Sequence, residues 1–131
     1  MYLTLEADYA VRIVGCLSKE GGRLDAKHIS EKSTVSLRFA LKILRKLAAA
    51  GIVRSYKGTQ GGYELAGKPS DISLNDVVTA IEGGYALSRC LTEEHDCNRG
   101  MSGKCRYQCV FKEVSKMVED KLKEYTFDKL I

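Results

Sequence analysis

Four of the chain's five cysteines, Cys90, Cys97, Cys105 and Cys109, fall within the twenty residues CLTEEHDCNRGMSGKCRYQC. Thiolates gathered this densely ligate zinc or an iron-sulfur cluster, or they exchange between dithiol and disulfide. Intervals of six, seven and three residues match neither a tight zinc-ribbon pair nor any other spacing that would name the metal. The cysteines alone therefore specify cofactor ligands or disulfides, and other features must choose. No run approaches the ~20 apolar residues of a membrane span. The start MYLTLEADYAVR is amphipathic where a signal peptide would be basic and then apolar. A cytoplasmic location is expected, where clustered cysteines serve as ligands or redox sensors more often than as structural disulfides. Cys16, set among apolar residues, reads as a small core residue. Neither histidine, His28 nor His95, lies in a motif that would define a nucleophile, a base or a substrate pocket, so no enzyme is expected.

Something must carry and report such a stretch. At 131 residues with 44% hydrophobic content, the chain has room for one domain of ordinary size plus an appended element. The net charge of +4 is unevenly spread. Residues 1 to 60 hold eleven Lys or Arg against five Asp or Glu, while residues 61 to 131 hold ten against twelve. A basic first half suits a polyanionic partner.

Within that half, Tyr9, Ala10, Ile13, Val14 and Leu17 recur at helical spacing and predict a first helix from Leu5 to Ser18, closed by Gly21-Gly22. Asp25 can cap a short second helix, Ala26 to Lys32. After a tight turn at Thr34-Val35, Ser36 can cap a third that ends at Ala50 before Gly51. In the third helix Phe39, Ala40, Ile43, Leu44 and Leu47 share an apolar face. Arg38, Lys42, Arg45 and Lys46 fall within about 100° of one another on the other side. A short helix, a tight turn and a longer helix with a cationic face is the pattern of a helix-turn-helix that reads the major groove of double-stranded DNA.

Ile52 to Tyr56 and Gly62 to Leu65 then read as a short hairpin with a glycine-rich tip, a wing whose Arg54 and Lys57 would follow phosphates or the minor groove. Gly61-Gly62 lacks the pattern of a nucleotide-binding loop. Ser73 and Asp76 form a capping box for a fourth helix ending at Gly83-Gly84. The cysteine stretch follows as a loop. Val110, Phe111, Val114, Met117, Val118, Leu122 and Tyr125 then give a last helix with one apolar seam, suited to a partner subunit. The expected fold is mainly α: a winged helix-turn-helix domain over residues 1–84, a cysteine-rich cofactor loop over 85–109, and a dimerisation helix with its tail over 110–131. Ser36, Arg38, Lys42 and Arg45 of the third helix, with Arg54, Lys57 and Gln60 of the wing, are the candidate DNA contacts; Arg and Gln suit bidentate base recognition.

The start MYLTLEADYAVR, the segment SLRFALKILRKLAAAGIVRSYKG followed by GGYEL, the helix ISLNDVVTAIEG and the cysteines ahead of a long last helix together resemble the winged-helix transcription repressors of the IscR and NsrR type. Those proteins regulate iron-sulfur, nitric-oxide and cysteine metabolism in bacteria. The resemblance implies a homodimer that binds operator DNA through the third helix and the wing. It also implies an iron-sulfur cluster, either 2Fe-2S or 4Fe-4S, held by Cys90, Cys97 and Cys105. For the fourth ligand it leaves Cys109 or, as in NsrR-like members, Asp8 from the partner subunit, with His95 a weaker choice. A zinc site or a thiol redox switch, with Lys104 and Arg106 beside Cys105, is the alternative use of the same thiols.

Overall fold

In the computed structural model, which describes residues 3–84, 86–92, 97–101 and 103–131, helices α1 (Leu5–Glu20), α2 (Ala26–Ser33) and α3 (Leu37–Ala49) precede an antiparallel hairpin of β1 (Val53–Tyr56) and β2 (Gly62–Leu65). Helices α4 (Leu74–Glu82) and α5 (Arg106–Lys123) complete it. Each early boundary has a local cause. The Thr4, Asp25 and Ser36 side chains accept backbone N–H groups of Ala7, His28 and Phe39 at the starts of α1, α2 and α3. At α4 the Ser73 hydroxyl accepts from Asp76 N–H at 3.1 Å while the Asp76 carboxylate accepts from Ser73 N–H at 2.9 Å, which satisfies two otherwise orphan donors.

The apolar faces of α1 to α4 meet in one core in which Ala10, Ile13, Ile29, Ile43, Leu44, Leu47 and Val77 are completely buried. Burying each Leu or Ile side chain contributes roughly 1.5–3 kcal/mol. Thr34, at φ 56° and ψ 47°, supplies the left-handed corner between α2 and α3. Behind the helices the hairpin pairs Val53 with Leu65 and Tyr56 with Gly62. Leu24 joins it as an isolated third rung, exchanging backbone hydrogen bonds with Tyr63 at 2.9 and 2.7 Å. This rung explains a glycine: a Cβ on Gly62, whose φ is +144°, would stand 2.6 Å from the Leu24 carbonyl oxygen.

Several boundaries differ from those read in the sequence: α2 runs one residue further to Ser33, and α3 stops one residue earlier at Ala49. α1 continues two residues to Glu20, and β1 starts one residue later than Ile52, because Ile52 N–H turns back to the Leu47 carbonyl at 3.0 Å. α5 begins at Arg106, ahead of Val110, since Cys105 takes the N-cap position and Cys109 N–H closes the first turn on its carbonyl at 3.2 Å. Cys109 is therefore a helical residue. The tail returns to the core of α1 to α4. Phe127, 2% exposed, enters the core, and Leu74 N–H and Tyr125 O, with Phe127 N–H and Ile72 O, fasten it at 2.9 and 3.0 Å.

Candidate nucleic-acid interface and thiol site

The outer side of α3 is where the helix-turn-helix must meet DNA. Its residues Ser36, Arg38, Lys42 and Arg45 are exposed and border a common groove of about 690 Å³. Ser36 uses its hydroxyl oxygen to cap α3 at 3.3 Å from Phe39 N, leaving its O–H free of that bond. Lys42 lies 5.7 Å above the Phe39 ring and 3.9 Å from Glu6. Lys46, read as the fourth cation of this face, turns instead to Glu6 on α1, at 2.8 Å. Glu6 thus draws one edge of the basic face back onto the domain, while Arg38 and Arg45 form no ion pair among the described residues. Leu37, 45% exposed, adds an apolar patch to the same groove.

Arg54, Lys57 and Gln60 are exposed along the wing. Arg54 stands opposite Glu64 in the ladder, and Glu64 accepts the Tyr56 hydroxyl. The wing is held by a residue that sequence patterning did not single out. Arg23 donates to the Gln60 carbonyl at 2.8 Å and lays its guanidinium 3.5 Å over the centroid of the Tyr56 ring. A contact across 37 positions leaves no periodic trace, so only the local Arg23-Leu24 run ahead of α2 could have hinted at it.

At the other end of the chain, Cys90, Cys97 and Cys105 line one cavity of about 130 Å³, walled by Met101, Tyr107 and Phe111. Cys90 donates its S–H to the Ser88 hydroxyl oxygen at 3.3 Å. Backbone N–H groups of Met101 and then Arg99 bond the Cys97 sulfur and hold its pKa below the ordinary thiol value, which favours the thiolate. Cys105 caps α5. Cys109 lines a neighbouring groove of about 680 Å³ with Lys112 and Lys116, to which Cys90 also contributes. Asp8 sits half-buried on the first turn of α1, 3.0 Å from Arg12. His95 lies outside the described residues. All five thiols are free. Among the described residues no three His, Cys, Asp or Glu groups yet form a metal-binding set. The three thiols share a cavity rather than a coordination sphere. As a donor set they suit a soft metal: sulfur ligands, an apolar wall, and one thiol already biased to the charged form.

Below the cavity α5 is amphipathic in an unusual way, because its single buried residue among those described is Ser115. The Ser115 hydroxyl accepts Leu87 N–H at 2.8 Å and donates to the Phe111 carbonyl at 2.8 Å. Tyr107, Val110, Phe111, Met117 and Tyr125 are exposed. Among the described residues no helix is long and apolar enough to cross a membrane.

Comparison with known proteins agrees with this architecture. Residues 3–131 match the Rrf2 family, described as an iron-dependent transcriptional regulator. Protein rrf2 of Nitratidesulfovibrio vulgaris Hildenborough is 32% identical over 133 residues, covering 100% of this chain and 87% of that protein. Two solved structures share the fold. IscR of T. potens superposes with a TM-score of 0.73 at 24% identity, over 99% of this chain and 85% of its own. CymR, the global cysteine regulator of B. subtilis, gives 0.75 at 22%, over 99% and 95%. The winged helix-turn-helix expected from the residues is the fold found, and the chain belongs to the Rrf2 family: it is a DNA-binding transcriptional regulator and not an enzyme.

Proposed function

We propose that the chain acts as a homodimeric repressor in the bacterial cytoplasm, with operator affinity set by the iron-sulfur, redox or nitric-oxide status of a cluster on Cys90, Cys97 and Cys105. The observation that carries this reading is the cavity these three thiols share at the head of α5. When bound, the cluster supplies a reversible electron-transfer centre tuned by its ligands and their surroundings. Cys109 or Asp8 of the partner subunit completes the ligand set, and nuclearity stays between 2Fe-2S and 4Fe-4S.

The exposed residues Tyr107, Val110, Phe111 and Met117 of α5 fall within about 120° of one another at 100° per residue, and Tyr125 follows two residues after the helix ends. A second copy of the chain covers this stripe. Two-fold pairing then sets two reading heads against half-sites about 34–36 Å apart. In each head Ser36, Arg38, Lys42 and Arg45 enter the major groove, and Arg54, Lys57 and Gln60 of the wing follow the backbone or minor groove. Communication runs through α5: Cys105 heads it, and its tail is fastened by Phe127 in the reader core. A change of the loop tilts that helix and with it the spacing of the heads.

Anaerobic purification or reconstitution tests the reading. Wild type should be coloured and contain iron and sulfide. Alanine variants of Cys90, Cys97 and Cys105 should lose both, and separate variants of Cys109 and Asp8 should identify the remaining ligand. A colourless, iron-free wild type after reconstitution would sink the cluster and leave DNA binding intact. The second reading is a zinc site or thiol switch, favoured by the one groove that Cys109 and Cys90 both line and by the likeness to a cysteine regulator. Metal analysis separates zinc from iron, and reversible two-proton mass losses reveal disulfides.

A further inference from the structure

Gln108 is the third residue of α5, a position from which glutamine commonly turns back to bond the N-cap backbone. Here it reaches further. Its Oε1 accepts Gly103 N–H at 2.9 Å, and its Nε2 donates to the Cys90 carbonyl at 2.9 Å. One side-chain amide thereby ties the Cys90 turn to the Gly103 turn that leads into Cys105, with Cys97 on the segment between. Gly103 holds φ at +80°, a conformation other residues adopt rarely, so its N–H is aimed by the backbone as well as by the bond. The same side chain borders the cavity of the three thiols.

We propose that Gln108 is a positioning residue for the thiol site: it closes the loop so that Cys90, Cys97 and Cys105 face one cavity before any metal arrives. The inference rests on the thiol-site reading and deepens it, because a loop already closed spares the metal the ordering cost of a free one. Both ends of the amide are occupied by backbone partners, so Gln108 supports the ligands without being one. Leucine at this position keeps the bulk and loses both bonds. Glutamate keeps an acceptor for Gly103 and sets a second acceptor against the Cys90 carbonyl.

The test uses the full-length, reduced, metal-free protein and two probes, cobalt(II) titration under argon and amide hydrogen exchange. Gln108→Leu should weaken cobalt binding by about 10–100-fold, the usual consequence of removing an outer-shell partner. Its spectrum at saturation should keep the wild-type thiolate-to-cobalt bands, and Gly103 N–H should exchange faster while the amides of Ile43 to Leu47 do not. Gln108→Glu should fall between Gln108→Leu and wild type. Wild-type cobalt affinity with unchanged Gly103 exchange in Gln108→Leu would overturn the proposal, as would an altered ligand field at saturation, which would make Gln108 a ligand. Failure of the thiol-site reading is distinguishable, since wild type would then bind no cobalt. Gly103 exchange, which needs no metal, would still support or overturn the clamp.

Discussion

The reader, α1 to α4 with its wing, and the cysteine half, the cysteine loop with α5, solve opposite problems with similar residues. α3 hides Ile43, Leu44 and Leu47 completely and shows cations, whereas α5 shows Phe111 and Met117 and hides a serine. A helix of eighteen residues with an apolar stripe outside gains little from its own chain. The difference teaches that the reader is complete within one chain. The cysteine half is held at its two ends and at Ser115 by Leu87 N–H, and one chain leaves its apolar stripe uncovered.

If the two halves differ in this way, trimming each should cost different amounts. Leu44→Ala should lower unfolding free energy by about 2–5 kcal/mol, the range for a fully buried leucine. Met117, 64% exposed, should give less than about 0.5 kcal/mol when changed to alanine in dilute protein. Urea midpoints compare them, and equal shifts would erase the contrast. The stripe itself is tested by charge. Phe111→Lys with Met117→Lys should weaken self-association by about 2 kcal/mol or more, roughly 30-fold, in sedimentation equilibrium. Wild type that sediments as a monomer at high concentration would leave α5 without the partner assigned to it.

The two halves were also unequally legible in the sequence. Caps and periodicity are local, and Asp25, Ser36, Ser73 with Asp76, and the glycines near Tyr63 gave the reader's elements to within two residues. What escaped was long-range. Glu6 with Lys46, Arg23 with Tyr56 and Gln60, and Phe127 in the core join positions far apart, and no spacing rule announces them. The start of α5 was missed for another reason. Its first turn, Arg106 to Cys109, lacks an apolar repeat, so only the stretch from Val110 onward registered as helix. That four cysteines formed one group was plain, but their division between a cavity and a neighbouring groove follows from where α5 begins.

Recognition by the reader gives a smaller effect than packing or pairing. Arg38→Ala should cost about 1–3 kcal/mol against the preferred operator and flatten base preference at one position in each half-site. Lys42→Ala should weaken all sequences alike and reduce the salt dependence by about one counterion per head. Binding isotherms on operator variants at several salt concentrations separate the two. An unchanged preference in Arg38→Ala would mean that α3 meets the groove through a different edge, with Leu37 or Arg45 foremost.

The finest contrast between the halves lies in their thiols. Burial pushes the Cys16 pKa up, with Ser33 opposing, whereas backbone N–H groups of Met101 and Arg99 pull that of Cys97 down. Cys97 therefore stays ionised below the pH at which an unfolded thiol protonates. Its contribution to stability is present above the unfolded value and is lost as pH falls through the lowered one. Cys16 has the reverse sign: the fold favours its neutral form, a contribution complete below the unfolded value and lost as pH rises through the raised one. Iodoacetamide on the reduced, metal-free chain should label Cys97 well before Cys16 at neutral pH. The Cys97 rate should decline only as pH drops through its lowered pKa, and Cys16 should gain reactivity when urea removes its surroundings. Equal rates at neutral pH in the folded protein would show that the two half-buried sulfurs sit in equivalent environments, and the contrast between the two halves would lose its chemical basis.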